Sequence, residues 1–367
     1  MVNINVYEDI RSIPDKLQAL WQHGNHGQHV EQNKNKLEFD SSYEWYKELL
    51  NYALKPGASP IIICAEENNS TVILPLQIYY KNEKKHLGAL TTIYSHNFSP
   101  IIISNNSSNS ELISHCIGYA IKNYLPEIID IEPINPKGVL ITPLIKGIKH
   151  HMVTDTYFRF GNWLHTDISS FDEYKNNLQT QLKNTINRRQ KKLDKSHVWE
   201  LKVYTKIEEI APAYQEFKYL YQLRWKKEEG NREFFDAIIM DLAEKGQLRL
   251  GILYIDNRPA AAQIWFNIGQ RSSIFKLAFD ESYKEFSPGT LLTYKMADYS
   301  INQDQATILD FLSGDDYYKK QWMSQRDEKW GIIAFNHRTA YGIFAATRHF
   351  GGKLVKRLNF FPSKKAG

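Results

Sequence analysis

Two segments lying nearly half the chain apart repeat one pattern, and that repeat limits the possible folds more than any other feature. Residues 60–65, a polar turn at 66–70 and residues 71–80 read as strand, turn, strand; residues 247–255, a turn at 256–258 and residues 259–268 read the same way. The repeat predicts two copies of one α/β unit. The mixed stretch at 137–161, which holds Pro143 and the His150-His151 pair, puts the boundary near residue 160. A chain of 367 residues with 42% apolar and 24% charged content has enough material for two cores.

Cys64 and Cys116 lie in apolar stretches, which fits buried thiols in a reducing compartment better than a disulfide framework. Glu8 and Asp9 interrupt any secretory signal, and no run of about 18 apolar residues occurs. The expected location is cytoplasmic, with peripheral contact at the inner face of the membrane as an option. That option rests on the C-terminus. From Lys329 onward there are 8 of the 46 Lys and Arg and none of the 41 Asp and Glu, so the remainder is slightly acidic. A tail through Arg338, Tyr341, Phe344, Arg348, Phe350, Lys353, Lys356 and Arg357 suits an anionic surface, or a solvated helix packed by its Phe residues.

The second half opens on a helix signal. Ser170 and Glu173 have capping-box spacing, and Phe171, Tyr174, Leu178, Leu182, Ile186 and Leu193 recur at helical intervals. The end of this helix carries Lys183, Arg188, Arg189, Lys191, Lys192 and Lys195. Such a cluster either opposes the helix dipole as a solvated face or forms a basic wall for a phosphorylated ligand.

Residues 272–279 read as a strand that leads into Ser287, Pro288, Gly289 and Thr290. Ser287 is a good N-cap, Pro288 suits the first helical position, and Gly289 permits close approach to the backbone; together they make a helix N-terminus suited to a pyrophosphate. Residues 307–312 form another strand, running into the Ser313 to Trp322 segment and a second helix. If the two strands are parallel neighbours, a ligand crevice lies outside their carboxyl ends.

The run AFDESYKEFSPGTLL, followed by DFLSGDDYYKKQW, resembles the GNAT-type acyltransferases related to CelD, also called BioF2-like. NTINRRQKKL, YQLRWKKEEG, FDSSYEWY, VILPLQIYY and YSHNFSPII fall in that family's order, and the tandem arrangement is more distantly similar to Fem-type peptidyltransferases. Of the usual Gln/Arg-x-x-Gly-x-Gly loop only Gly289 remains. The resemblance implies an α/β (α+β) fold of tandem GNAT-like domains: residues 1–160 supporting, 161–336 catalytic and 337–367 a basic tail. It implies acetyl-CoA or another acyl-CoA as cosubstrate, bound at Phe279 and Ser287 to Thr290, and direct attack on the thioester by an amine of an amino sugar or polysaccharide precursor.

The implied acid is Tyr318, at a helix start whose dipole favours its anion, with Tyr317 beside it. Asp315 is the expected base or amine-positioning carboxylate, Lys319 the expected partner of an acceptor carboxylate or phosphate. Asp310 requires a partner if buried. Arg224 and Trp225 suit a sugar or nucleotide at the border of the same cleft. Two other readings compete: a Fem-type transferase using aminoacyl-tRNA, with 183–195 as the RNA contact, and a non-catalytic polysaccharide-assembly module. Otherwise nucleic acid is not an expected partner. No metal is expected either, because His23, His26 and His29 are interrupted by Gly24 and Gly27 and lack a nearby Cys.

Overall fold

The structure is a computed structural model that describes residues 2–24, 38–103, 109–224 and 230–359, without the side chains of 23, 24, 224 and 356–359. Its strands are β1 (Asn3–Tyr7), β2 (Ser59–Glu67), β3 (Ser70–Lys81), β4 (Lys84–Ala89), β5 (Ile101–Ile102), β6 (Ile128–Ile134), β7 (Val153–His165), β8 (Trp199–Tyr204), β9 (Leu248–Ile255), β10 (Arg258–Ile268), β11 (Arg271–Phe279), β12 (Ile308–Ser313) and β13 (Gln325–Phe335). Its helices are α1 (Asp15–Gly24), α2 (Tyr43–Tyr52), α3 (Asn109–Tyr124), α4 (Ile141–Lys149), α5 (Phe171–Asn177), α6 (Thr180–Ser196), α7 (Ile207–Arg224), α8 (Arg232–Glu244), α9 (Pro288–Asn302), α10 (Lys319–Trp322) and α11 (Ala340–Asn359).

Two compact units form. Of the described residues, 2–24, 54–103, 109–159 and 329–359 make the first, and 38–53, 160–224 and 230–328 the second. Each contains the expected hairpin. β2 and β3 turn through Asn68 and Asn69, β9 and β10 through Asp256 and Asn257, and all four residues have φ between 49° and 61°. Asn and Asp tolerate this left-handed region, which two-residue hairpin turns require.

In the first unit the strand order is β1-β2-β3-β4-β6-β13, antiparallel except for the parallel pair β4–β6. Its core joins Ile61, Ile63, Leu74 and Leu76 of the sheet to Leu112, Cys116 and Ile117 of α3 and Leu144 of α4. Cys64 and Cys116 are buried free thiols, and burial pushes Cys64 up to about 12. One side of α11 is held by Asp155, which accepts from His349 at 2.6 Å and pairs with Lys353.

In the second unit the order is β7-β12-β11-β10-β9-β8, with β11–β12 parallel. α9 and α6 cover one core through Leu291, Leu292, Met296, Leu182 and Ile186. Residues 38–53 pack here, with Trp45 edge-on to Phe234 at 4.8 Å and Lys245 paired with Glu44 at 2.5 Å. The fold is α/β, with mixed sheets flanked by helices.

The helix expected from Ser170 onward is two helices. Leu178 leaves α5 in an extended conformation, and the side chain of Gln179 donates to the Lys320 carbonyl at 3.3 Å, so a tertiary contact overrides the helical periodicity. Ser170 does accept from the Glu173 amide at 3.2 Å. The Glu173 carboxylate, however, turns back to Ser169 rather than Ser170, so the box is not reciprocal. Among the described residues no helix is long and apolar enough to cross a membrane.

Candidate active site

The second unit's parallel strands separate after a short common stretch. β11 and β12 pair only at Arg271↔Ile308, Ser272↔Leu309 and Ser273↔Asp310, whereas β11 continues to Phe279 and β12 to Ser313. Two local features produce the divergence. Against β10, the register shifts between Ile264 and Trp265, leaving Phe275 as an extra residue that bends β11. On β12, Asp310 Oδ1 accepts from the Leu312 amide at 2.8 Å while Leu312 adopts φ 54°, and the register against β7 shifts at the same place.

Asp310 is wholly buried, so its charge needs compensation. Arg271 supplies it at 2.5 Å and Asn162 Nδ2 donates at 3.1 Å. The ion pair sits where strand pairing ends. Arg271 and Asn162 carry no local motif; they are distant in sequence from Asp310, and only the strand register brings them there.

Below the divergence lies the start of α9. Ser287 takes a left-handed φ of 51° and its hydroxyl makes no cap hydrogen bond, so the expected side-chain cap is not what closes this end. Instead, the Ser287 carbonyl accepts from the Thr290 and Leu291 amides at 3.0 and 3.2 Å, and Pro288 contributes no donor. The Gly289 carbonyl accepts from Thr293 Oγ1 at 2.8 Å and from the buried Gln263 amide at 3.3 Å, which ties the first turn to β10. A Cβ on Gly289 would lie 3.5 Å from Leu277 and 3.6 Å from Phe279, an ordinary contact. Phe279 and the Ser287–Thr290 turn are therefore neighbours.

α6 leans on the segment just before that turn. Arg189 donates to the Glu285 carbonyl, and Lys192 pairs with the Glu285 carboxylate at 2.5 Å while standing 5.3 Å over the Phe286 ring. Arg188, Lys191 and Lys195 line a cavity of about 540 Å³ on the same helix, together with Asn184 and Asn187. Such a stripe raises the local concentration of anions.

The loop after β12 carries the remaining expected residues. Asp315 accepts from Arg326 at 2.8 and 2.5 Å and from the Trp163 indole at 3.0 Å. The Arg326 guanidinium holds its carboxyl below the usual 3.8, which makes it a weak proton acceptor and a firm positioning group. Gly161 leaves room for this carboxylate, since a Cβ on it would come 2.7 Å from the Asp315 oxygens. Lys319 is buried, and its ammonium donates to the carbonyls of Phe311 and Ser313 at 3.0 and 2.6 Å. Burial lowers its pKa, while Asp316, Asp310 and Asp315 oppose the shift. It fixes the loop to the strand end.

Tyr318 immediately precedes α10, meets the edge of Phe311 at 5.8 Å and is 46% exposed; Tyr317 is 72% exposed. α10 is 4 residues long, so its dipole is small. The side chain of Arg224 and all of Trp225 lie outside the described residues, as do His26 and His29. Among the described residues no group of three or more His, Cys, Asp or Glu is arranged to hold a metal ion.

No match is found among curated proteins. A crystal structure of FemX is similar in fold, with a TM-score of 0.59, 12% identity, and coverage of 92% of this chain and 98% of that one. So is a conserved protein of unknown function from Bacteroides thetaiotaomicron VPI-5482, with a TM-score of 0.55, 10% identity, and 91% and 100% coverage. The stretch that runs from the basic helix to the loop bearing Asp315 and Tyr318, residues 180–320, matches the acetyltransferase (GNAT) domain family.

Proposed function

We propose that the second unit is an acyl-CoA-dependent N-acyltransferase. The carrying observation is the divergence of β11 and β12 above the first turn of α9. The β12-facing edge of β11, unpaired from beyond Ser273 to Phe279, suits the amide-rich pantetheine arm, and the Ser287–Thr290 turn with the cations of α6 suits its phosphates. The match at 180–320 supports this reading. In it, the nitrogen of an unprotonated amine attacks the thioester carbonyl, the C–S bond breaks, Tyr318 gives its hydroxyl proton to the leaving thiolate, and the proton shed by the new amide nitrogen passes to solvent, from which the tyrosinate is reprotonated. Asp315, locked by Arg326 and Trp163, orients the amine. The resemblance to CelD and BioF2-like proteins supports acetyl as the acyl group and an amino sugar or envelope polysaccharide precursor as acceptor.

The basic stripe of α6 and the likeness to FemX favour one alternative, an aminoacyl-tRNA donor. Mass spectrometry of protein purified under native conditions separates the two. Retained coenzyme A or its thioester supports the first reading; co-purifying tRNA with no coenzyme A replaces it with the second. Peripheral membrane contact belongs to this proposal too: Ile343, Phe344, Leu354 and Val355 are exposed on α11, with Arg348 among them.

A further inference from the structure

One cavity among the described residues has no part in the chemistry above. It is a groove of about 890 Å³ in the first unit, bounded by α3, α4 and the edge strand β1. Its volume falls in the range of small-molecule sites. Val2, just before β1, Ile4 of β1 and Pro143 of α4 give it an apolar wall. His115 and Lys122 project from α3, and Lys146, His150 and His151 from α4 and its end, against a single lining carboxylate, Glu111. None of the ion pairs found among the described residues involves Lys122 or Lys146.

Lys122 and Lys146 lie in last turns and His150 caps α4, so part of their charge opposes the helix dipoles. Each helix end offers only about half a charge, which leaves the rim positive. The state of His151 agrees: burial, then Lys122, His150 and Arg338, push its pKa below the usual value. The α3–α4 contact under the groove is tight. A Cβ on Gly147 would come 2.5 Å from Ile117, so the two helices cannot spread to change the groove without losing that packing.

We propose that this groove binds a phosphate ester carried on an apolar chain, the phosphate at Lys122, Lys146 and the histidines and the chain along Val2, Ile4 and Pro143. Two sources share that chemistry, the headgroup of an anionic lipid and a free chain-bearing phosphate. The inference does not depend on the acyltransferase reading, since no groove residue belongs to the second unit.

The test compares wild type with Lys122→Glu/Lys146→Glu, both exposed positions where reversal leaves the core intact, with a thermal melt to verify the fold. Calorimetry with octyl phosphate reports the free ligand. Co-sedimentation with phosphatidylglycerol vesicles, against phosphatidylcholine vesicles, reports the lipid. Binding to octyl phosphate that falls at least about tenfold in the variant supports a soluble ligand. Binding confined to phosphatidylglycerol vesicles, with the same loss, supports a lipid headgroup. Absence of binding to both probes overturns the proposal, and so does binding that survives in the variant, because α11 is untouched by it.

Discussion

Tyr318 and Gly289 act on different steps in the proposed reaction, so single substitutions separate them. Tyr318→Phe keeps the ring against Phe311 and removes only the proton, so turnover falls by about 100- to 10,000-fold while coenzyme A affinity stays within a few-fold. An activated thioester, whose leaving group needs less protonation, shrinks the loss. Turnover near wild type in a thiol-release assay would shift the role to Tyr317. Gly289→Ala is tolerated by the fold because its Cβ meets Leu277 and Phe279 at ordinary distances. Gly289→Glu adds bulk and negative charge where phosphates are expected, and calorimetry below the variant's own melting temperature then shows coenzyme A binding reduced by more than about tenfold. Equal affinity in the Glu variant would move the cofactor elsewhere. Asp315 gives a third test. Its carboxyl is depressed chiefly by Arg326, so the clasp is in force above 3.8 and is lost as pH falls through the lower folded value. In Arg326→Gln the carboxyl, followed by NMR titration, rises toward 3.8; no rise would mean that Trp163 and Lys319 hold it.

At the scale of elements, the strand divergence depends on one buried ion pair. Asp310→Ala leaves the Arg271 guanidinium without its partner in a site where neither is well exposed, which costs about 3–5 kcal/mol in urea unfolding. Replacing both, as Arg271→Met/Asp310→Leu, recovers most of that loss if the damage is the stranded charge; no recovery would show that Asp310 stabilises mainly through the Leu312 amide and Asn162. The same strand pair marks where the sequence stops being legible. The hairpins and the order of β11, α9, β12 and α10 were legible, because alternating apolar runs and Asn-Asn or Asp-Asn turns are local signals. Asp310 was legible as a charge needing a partner. Its partner was not, since Arg271 meets it through strand register. Arg326 and Trp163 were equally hidden, being separated from each other by most of the second unit yet converging on Asp315. The break between α5 and α6 was missed because periodicity cannot register Gln179 bonding to α10.

For the molecule as a whole, the repeat raises the question of how many coenzyme A sites the chain has, and the hydrogen bonds at the strand ends bear on it. β4 and β6 of the first unit pair in parallel at His86↔Ile128, Leu87↔Ile129 and Gly88↔Asp130, as short a stretch as the pairing of β11 with β12. Beyond those three pairs the two units differ. In the first unit the chain itself takes up the β4-facing side of β6 beyond Asp130: Thr91 Oγ1 donates to the Glu132 carbonyl at 3.3 Å and the Phe98 amide to the Pro133 carbonyl at 2.6 Å. Phe98 is wholly buried, so displacing this segment to admit a pantetheine arm would expose a full aromatic side chain. The next helix, α3, opens at Asn109 with no Ser-Pro-Gly turn. Calorimetric titration therefore gives one coenzyme A per chain. The phosphate groove of the first unit would complicate that count if coenzyme A occupied it weakly. The titration is accordingly run in Lys122→Glu/Lys146→Glu as well, where such binding is removed and the second unit is untouched. One site in the variant, lost on adding Gly289→Glu, assigns it to the α9 turn. A stoichiometry near two in the variant would mean that residues 90–98 yield to the cofactor, and the assignment of a single acyl-donor site would fall.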